Sequence, residues 1–160
     1  MERTVLKKVD VGRLMLRRIA ELERRTGIHL GLAQKILLAE TGTVEQVLSI
    51  LAGSPIKVKV IEQKENARTI TRQSLLMNES GKTLVVARSK VFAHNLPARI
   101  LSQIRRQESG IGTIIANSRL ETYRKIVEIG YDPVKEVFFR KYQIICKKKI
   151  IFEIVEELVG

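Results

Sequence analysis

The order of elements in this chain predicts an α+β fold, an antiparallel sheet with helices packed on it. Three observations lead there. Residues 1–53 carry helical periodicity, and residues 54–160 are rich in strand-like alternation; a run of helices followed by a run of strands belongs to the α+β class. Within the second part, residues 68–92 (RTITRQSLLMNESGKTLVVARSKVF) read as two strands joined by a short turn, Asn78-Glu79-Ser80-Gly81, with Gly81 free to take positive φ. The 160 residues, 44% of them hydrophobic, suit a single domain with a real core.

The elements follow in chain order. Residues 9–25 have apolar side chains at 11, 14, 15, 19 and 22, a helical spacing, with Asp10 placed to cap and Gly27 to stop. The charged remainder of that helix reads as a solvated face. Residues 30–38 are apolar nearly all round and so belong to a buried segment, broken by Thr41-Gly42-Thr43. Thr43 then caps a short helix that stops at Gly53. The pair imitates a helix-turn-helix, but residues 43–51 contain no Arg, Lys or Asn to read bases, which disfavours DNA binding.

Ser54-Pro55 opens the sheet, and Ile56, Val58 and Val60 alternate with Lys57 and Lys59 in a half-buried strand. Past the hairpin, Asn95 caps a helix with Pro97 in its first turn. Gly110-Ile111-Gly112 lacks the third glycine of a dinucleotide fingerprint and reads as a tight loop, whose glycines let backbone N–H groups approach a bound carboxylate. Residues 120–129 fit either a helix or a strand. A turn spans residues 130–133. Residues 134–146 form a long strand, Lys147-Lys148 a tight turn, and residues 149–158 the last strand.

Composition limits the chemistry. Cys146 is the single cysteine, so neither an internal disulfide nor a cysteine-based metal site is expected, which suits a reducing, cytoplasmic compartment. His29 and His94 have no acidic residue at ligand spacing, which disfavours a histidine metal site. No apolar run approaches the roughly 20 residues of a membrane span, and the first ten residues lack the apolar core of a signal peptide. With no Trp, four Phe and three Tyr, a base-stacking surface is disfavoured. The 29 Lys and Arg against 17 Asp and Glu leave +12, a balance that favours an anionic partner: nucleic acid, or a small polyanionic metabolite. Abundant Ile, Lys, Arg and Glu suit a thermophilic source.

Two charged residues stand out against apolar strand faces. Period-2 alternation groups Arg72 with Ile70, Ser74 and Leu76, and Arg88 with Leu84, Val86, Lys90 and Phe92. A guanidinium keeps its proton, so one aimed inward needs an anion, from the protein or from a ligand; one at a sheet edge simply reaches solvent. On the last strand Glu153 is flanked by Ile151 and Val155, a costly place for a carboxylate unless it is paired or its pKa rises. Its partner is a ligand, or else Arg140 or Arg72. No GxSxG elbow or triad is present, so an enzyme of this sequence positions and polarises rather than attacks.

From Ile36 onward the chain resembles the chorismate lyase family and an archaeal group of small related proteins. The resemblance rests on ordered pieces: LLAETGTVEQVL, ITRQSLL, VVARSKVF, the Gly-Ile-Gly loop, YRKIVEIG, FFRKYQII and IIFEIVEEL. It implies an antiparallel sheet with a ligand enclosed under helical flaps, and it tips residues 120–129 towards a strand. It also implies that Arg72 grips a ring carboxylate, that the backbone of Ile111 and Gly112 lies against it, and that Glu153 meets a ring hydroxyl. Arg140 or Arg88 then holds the second carboxylate. Departures are Gln73, where relatives carry an acidic residue, Ala87-Arg88-Ser89 in place of Gly-Arg-Thr, and an N-terminal helix without a counterpart.

The implied reaction is loss of pyruvate from chorismate to give 4-hydroxybenzoate or a related aromatic acid. It moves a hydrogen within the substrate and so asks for no metal, nucleophile or cofactor. The same fold serves as the ligand-sensing half of HutC-type transcriptional regulators, so a non-catalytic module binding aromatic carboxylates is the alternative. The lyase reading expects Arg72 and Glu153 to point into one enclosed cavity from the same side of the sheet. Side chains on opposite faces would undo it.

Overall fold

The computed structural model describes residues 10–160; Val9, the expected first helical residue, and the opening stretch lie outside the described residues. Three helices come first, α1 (Val11–Thr26), α2 (Leu32–Ala39) and α3 (Val44–Ala52). Asp10 caps α1 through a 2.9 Å bond from the Arg13 N–H, and Gly27 closes it in the left-handed conformation that glycine adopts without strain. Gly53 ends α3 in the same way.

The strands are β1 (Lys57–Glu65), β2 (Thr69–Met77), β3 (Thr83–Phe92), β4 (Tyr123–Asp132), β5 (Val137–Cys146) and β6 (Lys149–Leu158). They form one six-stranded antiparallel sheet in the order β1-β2-β3-β6-β5-β4, and the fold is α+β as expected. Gly81 takes φ 84° in the β2–β3 turn, where Asn78 Oδ1 accepts from the Lys82 N–H. Lys147 and Lys148 both take positive φ, the geometry of a tight hairpin turn whose twist matches its strands. Residues 123–129 form most of β4, and residues 120–122 precede it. The turn expected at residues 130–133 comes later, because β4 runs on through Asp132 and β5 begins only at Val137.

Between β3 and β4 lie a 3-10 turn (Ala93–Asn95), α4 (Ala98–Arg106) and α5 (Ile111–Ser118). Pro97, rather than Asn95, is the residue preceding α4. The Gly-Ile-Gly segment is not a loop. Gly110 is the extended residue before α5, and Ile111 and Gly112 are its first two residues.

The helices pack on one face of the sheet and build two separate cores there. One joins Ile19, Leu22, Leu38 and Leu48 to Leu76, Val85, Phe138 and Leu158. The other joins Ile100, Ile104, Ile111 and Ile114 to Ile70, Val91, Ile144 and Phe152. Between them on the same face runs a band of buried polar side chains: Arg72, Ser74, Ser89, Arg140 and Glu156. Such a band is costly unless its members pair with one another or with a ligand.

Candidate active site

The register fixes which side chains face this band. Arg72 pairs with Ser89, Ser89 with Ile154, and Ile154 with Tyr142, so these four share the covered face. One step along, Ser74, Ala87, Glu156 and Arg140 make the next row. A narrow cavity opens between these rows and the first turns of α3 and α5, lined by Arg72, Ser74, Ser89, Tyr142 and Glu156 from the sheet and by Glu45, Ile111 and Gly112 from the helices.

Arg72 is 3% exposed. Its Nε donates to Gln63 Oε1, its Nη1 to the Ser109 carbonyl and its Nη2 to the Ile104 carbonyl, each at 2.8 Å. Gln63 is itself fixed by donating to the Ile104 carbonyl at 3.1 Å. All three acceptors are neutral, and among the described residues no carboxylate lies within ion-pair distance. Burial lowers the Arg72 pKa, but a guanidinium starts so high that it stays charged. The three bonds use three of its five N–H groups, leaving two to donate. The first-turn N–H groups of α5, unpaired within their helix, begin beside the Ser109 carbonyl that Arg72 holds. A buried cation with spare donors next to a helix N-terminus is a site for an anion.

The other pole is Glu156, 2% exposed. Its Oε1 accepts from Arg140 Nε at 2.7 Å and its Oε2 from the Tyr142 hydroxyl at 3.2 Å. Burial pushes its pKa above the usual carboxylate range, and Arg140 offsets part of that. Burial also pushes the Tyr142 hydroxyl up. Arg140 is paired with two carboxylates. Besides Glu156, it donates through Nη1 to the Glu40 carbonyl at 2.5 Å and through Nη2 to the Glu40 carboxylate. Burial works against its charge, but Glu156, Tyr142 and Glu40 outweigh it and raise its pKa.

The two helix starts meet over the cavity. Thr113 Oγ1 donates to Glu45 Oε2 at 2.8 Å, and a Cβ on Gly112 would stand 2.8 Å from Thr43 Cγ2. Any larger residue there would push the Thr43 side chain aside. Among the described residues no cluster of three His, Cys, Asp or Glu side chains is placed to hold a metal, and no helix is long and apolar enough to cross a membrane.

A chorismate pyruvate-lyase of Mycobacterium leprae is 31% identical over 140 residues, covering 70% of this chain and 67% of that one. A protein of Methanocaldococcus jannaschii, whose name marks it as a candidate lyase, is 31% identical over 140 residues, covering 77% and 76%. The chain belongs to the chorismate pyruvate-lyase family. A second member of that name, from Mycobacterium tuberculosis, is 22% identical over 156 residues, covering 78% of each chain. No protein-family model matches the chain.

The structure puts Arg72, Ile111 and Gly112 together in the cavity. It does not put Glu153 there. Lys90 pairs with Glu153 and Gln143 pairs with Glu153, which places Glu153 on the opposite, open face, 3.3 Å from Lys141 Nζ. Arg72 and Glu153 therefore lie on opposite faces, which ends the lyase reading as built on Glu153; the reading survives only in a changed form, with Glu156, three residues further on, as the carboxylate that shares the cavity with Arg72. The cause is a bulge in β6: the pairing shifts between Ile144 and Ile145, leaving Ile151 an extra residue that is buried along with Phe152. An apolar Ile151 thus says nothing about the face of Glu153. The usable signal was the set Phe152, Ile154, Glu156 and Leu158, where Glu156 has an apolar neighbour on both sides of its own face.

Arg88 also lies on the open face, bonded to Glu157, and Arg140 has each nitrogen engaged by Glu156 or Glu40. Arg140 is already paired with two carboxylates and does not line the cavity, and Arg88 faces away from it, so neither serves a second carboxylate. Sequence reasoning also missed Arg124, which lines the cavity from β4. Its segment fitted both helix and strand, so no face could be assigned to it.

Proposed function

We propose that the protein eliminates pyruvate from chorismate, leaving 4-hydroxybenzoate or a closely related aromatic acid. One observation carries this reading: a buried arginine with no carboxylate partner among the described residues lines the same cavity as a buried carboxylate. Such a pair fits a ring with a carboxylate at one end and a hydroxyl at the other. Arg72 would fork onto the ring carboxylate with its spare N–H groups, beside the Ile111 and Gly112 backbone. Glu156, already accepting from Arg140 and Tyr142, would accept the hydrogen of the ring hydroxyl.

The step balances within the substrate. The bond from the ring to the ether oxygen breaks, and that oxygen becomes the pyruvate carbonyl. The hydrogen on the neighbouring ring carbon, the one bearing the hydroxyl, passes to the enolpyruvyl methylene, which becomes the methyl group. The ring gains aromaticity. Arg72 and Glu156 would hold the folded conformer in which that transfer is short, and their preorganised charges would stabilise polarisation in the transition state.

The test is release of pyruvate from chorismate by the purified protein, read by coupled reduction, with the aromatic product identified chromatographically. Pyruvate and 4-hydroxybenzoate appearing in equal amounts is the expected result. Tight binding of 4-hydroxybenzoate without pyruvate release would overturn the lyase reading in favour of a non-catalytic module for aromatic carboxylates.

A further inference from the structure

We infer that Arg124 holds the second, enolpyruvyl carboxylate of the substrate and so sets the preference for a dianion over a monoanion; this rests on the lyase reading above. Chorismate carries two carboxylates, and Arg72 serves one. The arginines first in line for the other are ruled out by their surroundings, since Arg140 is bound by Glu40 and Glu156 and Arg88 turns to the open face with Glu157.

Arg124 meets the requirements. It pairs with Ile144, which pairs with Phe152, so its side chain rises from the covered face. It lines the cavity. Its Nε is buried with no hydrogen-bond partner among the described residues, an arrangement that costs free energy until an anion arrives. Among the described residues Arg124 makes no ion pair; of the carboxylates lining the cavity, Glu45 is bonded by Thr113 and Glu156 by Arg140 and Tyr142.

In the strand order, β6 lies midway between β2 and β4, so Glu156 stands two strands from Arg72 and two from Arg124; along the strands Arg124 sits two rows from Glu156, past Tyr142, and both line the one cavity. A ring with its carboxylate on Arg72 and its hydroxyl on Glu156 carries the enolpyruvyl arm on the carbon next to the hydroxyl, at the end away from Arg72. Arg124 also borders a second, open cleft with Arg119, Thr122 and Gly112. The arm would therefore reach Arg124 where the cavity meets the surface, and the partial exposure of this residue fits a group that must release pyruvate as well as bind it.

The experiment compares two ligands on the full chain: chorismate, with two carboxylates, and 4-hydroxybenzoate, with one. Arg124→Met keeps the apolar stem and removes the charge. It should lower kcat/KM for chorismate about 30-fold, mainly through KM, while the Kd of 4-hydroxybenzoate stays within about twofold of the parent. Arg72→Ala should weaken both ligands. If Arg124→Met folds poorly, Arg124→Lys supplies the same comparison, with an intermediate loss for chorismate and none for 4-hydroxybenzoate. Equal losses for both ligands, or a parent-like kcat/KM for chorismate in an active enzyme, would overturn the role of Arg124 alone. A parent protein that binds 4-hydroxybenzoate but releases no pyruvate would overturn the lyase reading, and this inference with it.

Discussion

Arg72 and Glu156 are both buried charges, but they answer to different demands. Arg72 is held by a side-chain amide and two carbonyls, so its charge is solvated but not neutralised. Arg72→Ala should therefore cost little as an ion pair and much as an anion grip: a loss of about 100-fold in kcat/KM, close to 3 kcal/mol. Arg72→Lys should recover only part, since an ammonium lacks the planar fork. Glu156→Gln keeps size and hydrogen bonding, so 4-hydroxybenzoate should still bind while kcat falls about 100-fold. Because burial raises the Glu156 pKa, parent activity should fall as the pH drops through that raised value, and the limb should flatten in Glu156→Gln. The stability sign follows from the same shift. A carboxyl whose folded pKa exceeds its unfolded value favours folding below the unfolded value and loses that contribution as the pH rises through the folded one. The stability gap between Glu156→Gln and the parent should thus widen with rising pH across that window. Glu153→Gln is the control. Its partner Lys141 and Glu153 itself are 35% and 30% exposed, so the pair contributes about 0.5 kcal/mol or less, and turnover should not change. A kcat loss in Glu153→Gln matching that of Glu156→Gln would show that the carboxylate has been misassigned.

At the scale of elements, the site depends on where α3 and α5 begin. The Thr113–Glu45 bond holds the two helix starts together over the cavity, where Gly112 leaves room for Thr43. Thr113→Val is nearly isosteric and deletes that bond. It should cost about 1 kcal/mol of stability and speed 4-hydroxybenzoate dissociation several-fold, measured by stopped flow; an unchanged rate would mean that ligands leave by another route. What the sequence made legible divides along local and non-local lines. The caps Asp10, Gly27 and Gly53, the Gly81 turn and the faces of β2 are set by residues a few positions apart, and each was readable. Arg72 was singled out for the same reason. The start of α5 was misread because glycine is a weak helix former in isolation, yet the first turn tolerates it where a neighbouring helix must come close. Glu153 drew the reading away from Glu156 because a bulge, invisible without the partner strand, buries Ile151 without putting it on the face of Glu153. The saturation of Arg140 by Glu40 spans 100 residues, and no local pattern encodes it.

At the scale of the whole molecule, one sheet face carries two apolar cores and, between them, the polar band that becomes the cavity. The cores hold the helices in place, so the band can keep charges that would otherwise be costly. Around this lies a chain of net charge +12, which must fold and, on the lyase reading, attract a dianion. The two consequences respond to salt in opposite directions. Like charges in excess repel across the folded surface, and screening relieves that, so added salt should raise Tm. Exposed pairs such as Glu21–Arg24 and Glu65–Arg105 weaken at the same time, but each contributes little, and there are only 17 acidic residues to pair with 29 basic ones. The repulsion term should win, with a rise of a few degrees between about 0.01 and 0.3 M salt, where the screening length falls from about 30 Å to below 10 Å. Substrate capture should move the other way. On the lyase reading, a field that draws chorismate towards the cavity would be screened over the same range, so kcat/KM should fall roughly three- to tenfold while kcat, set inside the buried site, holds. Measuring Tm and kcat/KM on one salt series checks both arms. Tm falling with salt would mean that the surface pairs outweigh the excess charge, and a flat kcat/KM would mean that the positive charge serves some purpose other than drawing in the substrate.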